Sequence, residues 1–174
     1  MNTFQMIEKE VIDNFLSEQE LKIIQTVFND LRFAWGFVPF APLSGERAQF
    51  CHEFWTPMGG WVTEHKELIR PFIDRFKPTA ILRVKANLQP KSDGVYEDPL
   101  HWDMHTKSGL LDSTTSIFYV NTCNGYTYFE DGSKVESVAN RMVTFSNRTK
   151  HAGTTCSDKP GRIVINFNYH KYYD

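Results

Sequence analysis

Hydrophobic residues at helical spacing mark the first part of the chain. Ser17-Glu18-Gln19-Glu20 matches the capping-box pattern with which many helices begin. After it, every third or fourth residue is apolar: Leu21, Ile24, Val27, Phe28 and Leu31. This spacing predicts a helix near residues 18–32. Residues 1–16 alternate loosely between apolar and polar, which favours a short strand followed by a turn.

A second helix is predicted over about residues 61–76. Its apolar positions are Val62, Leu68, Ile69, Phe72, Ile73 and Phe76. Pro71 would kink this helix or restart it, because proline has no N–H to donate inside a helix. Between the two helices, residues 33–60 combine aromatic residues with prolines and Gly59-Gly60. That combination favours a loop or an irregular strand.

From Thr79 onwards, apolar and polar residues alternate, as is typical of strands. The clearest stretches are ILRVKANLQP, SIFYVN, RMVTFSN and RIVINFNYHKYY. Turn-forming residues separate these stretches, at Ser92-Asp93-Gly94, Asn124-Gly125, Asp131-Gly132 and Lys159-Pro160-Gly161. Helices followed by strands predict an α+β fold that is mainly β, in which N-terminal helices brace a two-sheet barrel or sandwich.

Composition narrows the picture further. We expect the 174 residues to form one domain, with a helical support region at 1–78 and a β core at 79–174. A net charge of −2 argues against binding to nucleic acid. No apolar run reaches the length of a membrane span, and the N-terminal sequence is unlike a signal peptide. Three cysteines without close spacing favour reduced thiols and a cytoplasmic protein.

His101-Trp102-Asp103 is the strongest candidate for chemistry. On an extended chain, side chains two residues apart point to the same face, so His101 and Asp103 can reach one metal ion. The distant His151 would complete a set of two imidazoles and one carboxylate. That set leaves coordination positions open and is typical of non-haem Fe(II) oxygenases. His105 remains an alternative ligand, because it follows Asp103 at the same spacing.

Arg162 lies eleven residues beyond His151, at the start of a predicted strand. An arginine that points into a small barrel needs an anion, because an unpaired buried charge is costly. Its guanidinium can hold a carboxylate through two parallel hydrogen bonds. A metal and an arginine together therefore indicate a small diacid as ligand, and 2-oxoglutarate fits that description.

The region from about Ile81 to Tyr169 resembles the Fe(II)/2-oxoglutarate-dependent oxygenases, especially the prolyl-4-hydroxylase-like branch with its phage and bacterial relatives. The resemblance rests on the His-x-Asp and distal His pattern and on four further stretches: Val11–Ser17, Tyr119–Asn121, Gly125–Phe129 with Asp131-Gly132, and Arg162–Phe167. It implies a double-stranded β-helix, also called a jelly-roll or cupin-like fold. It also implies that Fe(II), O₂ and 2-oxoglutarate together hydroxylate a C–H bond, with release of succinate and CO₂.

The resemblance implies roles for further residues. Tyr119 is expected to line the cosubstrate pocket, where several relatives also use a serine or threonine two residues after the arginine. Val164 stands at that position, so no hydroxyl group is expected there. Asn87, Asn168 and Asn166 are weaker candidates for polar contacts in the pocket.

The substrate is less well indicated. The resemblance favours a residue of a peptide or protein, such as proline, and the alternative is a small molecule such as a free amino acid. Arg83 and Lys85 alternate on one predicted strand, and they form either an exposed face or a site for a substrate anion. Two rival hypotheses are a catalytically silent metal-binding jelly-roll and a zinc hydrolase, although the sequence has no His-Glu-x-x-His helix. The oligomeric state cannot be read from the sequence.

Overall fold

A computed structural model describes residues 9–39, 47–106 and 109–171. Helices α1 (Glu18–Phe28) and α2 (Arg70–Phe76) and a short 3₁₀ helix (Glu64–Leu68) lie in the first half of the chain. Thirteen strands occur among the described residues: β1 (Glu10–Ile12), β2 (Gly36–Val38), β3 (Gln49–Thr56), β4 (Gly60–Trp61), β5 (Ala80–Pro90), β6 (His105–Thr106), β7 (Gly109–Leu110), β8 (Thr114–Tyr119), β9 (Tyr126–Phe129), β10 (Lys134–Glu136), β11 (Arg141–Ser146), β12 (His151–Gly153) and β13 (Gly161–His170). The expected mainly-β fold is confirmed.

Helix α1 begins as the capping box predicts. The Glu20 amide donates to Ser17 Oγ, and the Ser17 amide donates to Glu20 Oε2 at 2.8 Å. The helix ends earlier than expected, at Phe28 rather than near residue 32. Asn29 is the C-terminal cap, and both its backbone amide and its side-chain amide donate to the Gln25 carbonyl.

The second predicted helix is shorter and divided. Gly60–Trp61 form a strand instead, and the 3₁₀ helix precedes α2. Pro71 lies in the first turn of α2, where the missing N–H of proline would have no helical partner in any case. The expected restart at this proline is therefore confirmed.

Residues 33–60 contain more regular structure than the sequence predicts. Strand β3 has eight residues and pairs with β5, with a register shift between Glu53 and Trp55. Phe54, at this irregularity, is fully buried in the core beneath the helices. The expected irregular strand is thus a long member of the main sheet, while positions 40–46 lie outside the described residues.

Two sheets form the β core. The major sheet has eight strands in the order β1-β11-β8-β13-β5-β3-β2, with β4 paired to β3. The minor sheet has three strands in the order β10-β9-β12, and β6 and β7 form a separate two-stranded pair among the described residues. Every strand pairing among the described residues is antiparallel.

Two hydrophobic cores lie on opposite faces of the major sheet. The helices cover one face, where Val84 and Ala86 of β5 pack with Ile165 and Phe167 of β13. Residues that alternate with these point to the opposite face, which we call the inner face. It carries a second core of Ile117, Tyr119, Phe129, Val135, Val143, Phe145 and Val164, to which the minor sheet contributes. No helix in the described part of the chain has the length and apolarity needed to cross a membrane.

Candidate metal centre and arginine pocket

The structure brings His101, Asp103 and His151 together. His101 and His151 form an antiparallel bridge, in which each backbone amide donates to the other residue's carbonyl at 3.0 and 3.1 Å. Asp103 follows two residues after His101, and the potential ligand atoms of the three residues lie within 4.8 Å of one another. His105 lies exposed in β6 and does not join this group.

The ligand atoms converge on one point. The Nε2 atoms of His101 and His151 lie 3.6 and 3.9 Å from Asp103 Oδ1. The Nδ1 atom of His101 lies 3.1 Å from the Pro99 carbonyl, to which an Nδ1–H can donate. Such a bond leaves Nε2 with a free lone pair for a metal.

Electrostatics favour the forms of these residues that bind metal. Burial alone would raise the pKa of Asp103, but the nearby imidazoles of His101 and His151 and the guanidinium of Arg83 hold that pKa well below its usual range. Burial lowers the pKa of His151, which keeps its imidazole neutral. Burial opposes protonation of His101 as well, but the nearby carboxylate of Asp103 raises the net pKa. Metal binding should therefore displace a proton from His101 in mildly acidic solution.

Asn168 and Arg83 hold the carboxylate of Asp103 in place. Asn168 Nδ2 donates to Asp103 Oδ2 at 3.0 Å, and Arg83 Nη2 lies 3.2 Å from Oδ1. The Nε atom of Arg83 donates in turn to Asn168 Oδ1. The structure therefore places Asn168 beside a candidate metal ligand.

A second polar group surrounds Arg162, which is 4% exposed. Its Nε donates to Ser137 Oγ at 2.8 Å and its Nη2 donates to Thr127 Oγ1 at 3.0 Å. Tyr119 donates its hydroxyl to the same Thr127 oxygen, and its ring lies 5.6 Å from the guanidinium carbon. No carboxylate of the described residues lies within 4.0 Å of Arg162, so its charge is buried with neutral partners only.

Two glycines make room for this arginine. A Cβ atom at Gly125 would lie 2.8 Å from Arg162 Cδ and 2.7 Å from the Thr155 carbonyl. A Cβ at Gly153 would lie 3.1 Å from Arg162 Nη1. Both positions therefore require close approach of backbone to the arginine side chain.

The metal group and the arginine pocket share two paired strands. His151 pairs with Phe129, and Gly153 pairs with Thr127. Two residues along a strand span about 6.8 Å, so the arginine pocket begins a short distance from the candidate metal ligands. A small molecule with a charged group at each end could contact both.

Thr127 and Ser137 were missed by reasoning from the sequence as hydroxyl partners of the arginine. No hydroxyl was expected two residues after Arg162, because Val164 stands there. Thr127 of β9 and Ser137, the residue after β10, supply hydroxyls to the arginine instead. Thr127 had a signal, since it lies in the Gly125–Phe129 stretch that resembles the oxygenases. Ser137 had none, because only the folded chain brings it to Arg162.

The remaining candidates lie on the inner face. Asn87 of β5 pairs with Val164, and its Oδ1 is buried without a hydrogen bond. Asn166 also has a buried Oδ1 without a partner. Neither residue contacts Arg162 through a hydrogen bond among those described, so a role in cosubstrate binding stays a prediction for both.

Cys156 belongs to a different group, with Cys123 and Asp158. Both cysteines are buried and unbridged, and burial beside Cys123 raises the pKa of Cys156 to about 11. A protonated, buried thiol is a poor metal ligand and a poor nucleophile.

We expect thiol reactivity to follow this burial. A disulfide reagent such as 5,5′-dithiobis(2-nitrobenzoate) at pH 8 should modify Cys51 first, because Cys51 is only partly buried. Cys123 and Cys156 should react at least about tenfold more slowly until denaturant is added, because both are buried and the raised pKa of Cys156 disfavours its reactive thiolate. Peptide mapping of the labelled protein identifies the order, and rapid labelling of Cys156 in the native protein would contradict it.

Comparisons with solved structures identify the fold. The chain is similar to a prolyl hydroxylase from Trichoplax adhaerens solved with a peptide fragment of the hypoxia inducible factor oxygen degradation domain, with a TM-score of 0.63 and 17% identity over 93% of this chain and 83% of that chain. It is also similar to the non-haem α-ketoglutarate-dependent epimerase SnoN of nogalamycin biosynthesis, with a TM-score of 0.68 and 11% identity over 94% of this chain and 76% of that chain. A prolyl-4-hydroxylase from Pseudomonas putida aligns with a TM-score of 0.60 and 11% identity over 94% of this chain and 92% of that chain.

No family model matches the sequence, and no curated protein sequence is significantly similar to it. Identities of 11–17% establish a shared fold rather than a shared reaction. The chain therefore has the double-stranded β-helix fold of the prolyl hydroxylases and 2-oxoglutarate-dependent Fe(II) oxygenases to which it is similar, as its sequence predicts.

Proposed function

We propose that this protein is an Fe(II)- and 2-oxoglutarate-dependent dioxygenase that hydroxylates a C–H bond. One observation carries the proposal: Arg162 is buried without a carboxylate partner among the described residues. Its pocket begins two residues along β12 from His151, which belongs to the group of two histidines and an aspartate. A metal site alone would not explain a buried, uncompensated cation beside it. A diacid that spans the two groups explains both.

The donor set fits ferrous iron. Two imidazole nitrogens and one carboxylate form a mixed N/O set that suits first-row metals, and three protein ligands leave positions open. His101, Asp103 and His151 would hold the ion, while Asn168 and Arg83 fix the orientation of Asp103. When bound, iron supplies the chemistry by which O₂ and 2-oxoglutarate are converted, with release of succinate and CO₂, to hydroxylate the substrate.

The chain's own residues would position the cosubstrate. Arg162 would bind the carboxylate that is remote from the metal, and Thr127 and Ser137 hold the guanidinium in place. Tyr119 closes one side of the pocket with a fully buried ring. The apolar residues of the inner face exclude water from this space, which strengthens the charge interactions within it.

The substrate we propose is a residue of a peptide or protein, such as proline. Two proteins share the fold: a prolyl hydroxylase that was solved with a peptide, and an epimerase of nogalamycin biosynthesis. A small-molecule substrate, such as a free amino acid, is therefore the second candidate.

We also propose that residues 1–174 act as one oxygenase domain in the cytoplasm. Helices from the region 1–78 and strands from the region 79–174 share the core on the helix-covered face of the major sheet, which supports a single unit. The three free cysteines suit a reducing compartment.

Anaerobic spectroscopy tests the proposed function. Fe(II) and 2-oxoglutarate, added together to the metal-free protein, should produce a weak visible charge-transfer band that neither produces alone. Admission of O₂ should then yield succinate, with or without a productive substrate. If the band is missing and no succinate forms across a broad panel of peptides and amino acids, the chain is a silent jelly-roll.

A further inference from the structure

We propose that the substrate of this site carries a negatively charged group, a carboxylate in the first instance, which Lys85 and Arg83 recognise. The inference rests on the proposed function and deepens it by naming the substrate class. Four observations support it: the placement of the two cations, the surroundings of Lys85, the exposure of the site and the balance of charge.

Both cations lie on the inner face of the major sheet beside the metal ligands. Arg83 and Lys85 alternate with the buried Val84 and Ala86 along β5. In the register with β13, Arg83 lies opposite Asn168, and Lys85 lies opposite Asn166. Because Asn168 and Arg83 both contact Asp103, this part of β5 forms one wall of the metal centre.

Lys85 has no carboxylate at ion-pair distance among the described residues. Burial, and then the charge of Arg83, lower the pKa of its ammonium group, although Cys51, Asp103 and Glu53 act in the opposite direction. Glu53 is its neighbour on β3 but is exposed, and no carboxylate of the described residues lies within 4.0 Å of Lys85. A partly desolvated ammonium without a counter-ion is unfavourable unless an anion binds it.

The polar wall around Lys85 is incompletely satisfied. Asn166, opposite Lys85, and Asn87, two residues further along β5, each have a buried amide oxygen without a donor. Such oxygens accept an N–H or O–H from a ligand, and leaving them unpaired costs free energy. The wall thus offers two cations and two hydrogen-bond acceptors to a ligand that is not part of the chain.

Solvent reaches the metal centre on the side of Arg83 and His101. The side chains of Arg83 and His101 are 25% and 21% exposed, whereas those of Asp103 and His151 are each 4% exposed. A substrate that approaches the metal centre from solvent therefore passes a positively charged wall. Positive potential in such a place raises the local concentration of anions.

The charges of the proposed complex leave these two cations in excess. A divalent metal ion and Arg162 balance the charges of Asp103 and a dianionic cosubstrate, with both histidines neutral. Arg83 and Lys85 then remain in excess, with only the exposed Glu53 as an acidic neighbour of Lys85 among the described strand partners. Arg83 also orients Asp103, which gives it a second reason to be there, but Lys85 makes no such contact.

Paramagnetic relaxation of ligand protons by bound Mn(II), measured by nuclear magnetic resonance, tests this inference. The protein is loaded with Mn(II) and saturating 2-oxoglutarate, so that Arg162 is occupied, and is mixed with small carboxylic acids and their primary amides. A second set contains short peptides with one internal glutamate and their glutamine counterparts. Acids of at least one set should show stronger paramagnetic relaxation enhancement than the matched amides, because they bind near the metal.

Variants connect the preference to Lys85. Lys85→Met keeps the length of the side chain but removes its charge, and should weaken binding of the acids about tenfold without changing the amides. Lys85→Arg should retain much of the preference for acids. Lys66→Met, at an exposed lysine, is the matched control and should behave as the parent protein. Equal melting temperatures show that each variant is folded.

The outcomes separate the two proposals. If Mn(II) does not bind, as judged by its electron paramagnetic resonance signal, the proposed function fails. If Mn(II) binds but acids and amides show equal enhancement, or neither is enhanced, this inference alone is overturned. A preference for acids that survives in Lys85→Met overturns it as well.

Discussion

Asp103→Ala is expected to abolish the visible band formed with Fe(II) and 2-oxoglutarate and to stop succinate formation. Asp103 is the only anionic member of the metal group, and its pKa is held well below the usual range, so it is ionised at neutral pH. Removing one partner of a buried charge interaction costs about 3–5 kcal/mol. For metal binding, that loss corresponds to an affinity lower by roughly 10²- to 10³-fold or more.

The matched control is Asp74→Ala, which removes an exposed carboxylate whose ion-pair partner in the described structure is Arg70. It should leave the band, the succinate yield and the Fe(II) affinity unchanged, because exposed ion pairs contribute little. Arg83 loses a partner in Asp103→Ala but remains partly in contact with water, so the variant should fold. An undiminished band in a folded Asp103→Ala protein would mean that the metal ligands have been misassigned.

Local sequence signals account for much of the fold. Helix α1 and its cap follow from four residues that interact within one turn. The long strands β5, β8, β11 and β13 follow from alternation, because each strand has one face against the helices or between the sheets. These features depend on contacts close in sequence or on burial that recurs with a fixed period.

Features set by contacts distant in sequence were less predictable. Strand β3 was expected to be loop or irregular strand, because its aromatic residues do not alternate cleanly around the register shift at Phe54. Its pairing with β5 across some thirty residues of chain, rather than its own propensity, makes it a strand. Positions 33–60 therefore contribute to the major sheet as well as to the connections between elements.

The candidate site shows the same division. The metal ligands could be proposed because His101 and Asp103 lie two residues apart, and because only a distant imidazole was needed to complete them. The contact of Asn168 with Asp103 spans 65 residues, and that of Ser137 with Arg162 spans 25. Side chains that hold a ligand in place come from neighbouring strands in space, and nothing in the sequence specifies that neighbour.

Arg162→Met is expected to weaken the binding of 2-oxoglutarate by about 30- to 4000-fold. Losing a hydrogen-bonded, desolvated charge interaction costs roughly 2–5 kcal/mol, and each 1.4 kcal/mol is about tenfold in affinity. The Fe(II) affinity should change little, because Arg162 contacts none of the three metal ligands through a described hydrogen bond or ion pair. Titration of the visible band with 2-oxoglutarate measures the affinity.

A monocarboxylate separates a lost contact from a damaged pocket. 2-Oxobutyrate keeps the group that would face the metal but lacks the remote carboxylate. The parent protein should therefore bind 2-oxoglutarate much more tightly than 2-oxobutyrate, and Arg162→Met should bind both about equally. Arg162→Lys should fall between the two, because lysine keeps the charge but not the planar fork that fits a carboxylate.

Arg148→Met serves as the matched control, since it removes an arginine that is half exposed and paired with Asp112. It should keep the full preference for 2-oxoglutarate. If Arg162→Met were folded and still discriminated between the two acids as the parent does, the remote carboxylate would have to bind elsewhere.

Since Arg162 is buried with only neutral partners among the described residues, its removal should relieve a desolvated charge as well as remove a contact. The metal-free variant should accordingly lose little stability. Added 2-oxoglutarate and Mn(II) should raise its melting temperature less than that of the parent, because a ligand that binds the folded state more weakly stabilises it less.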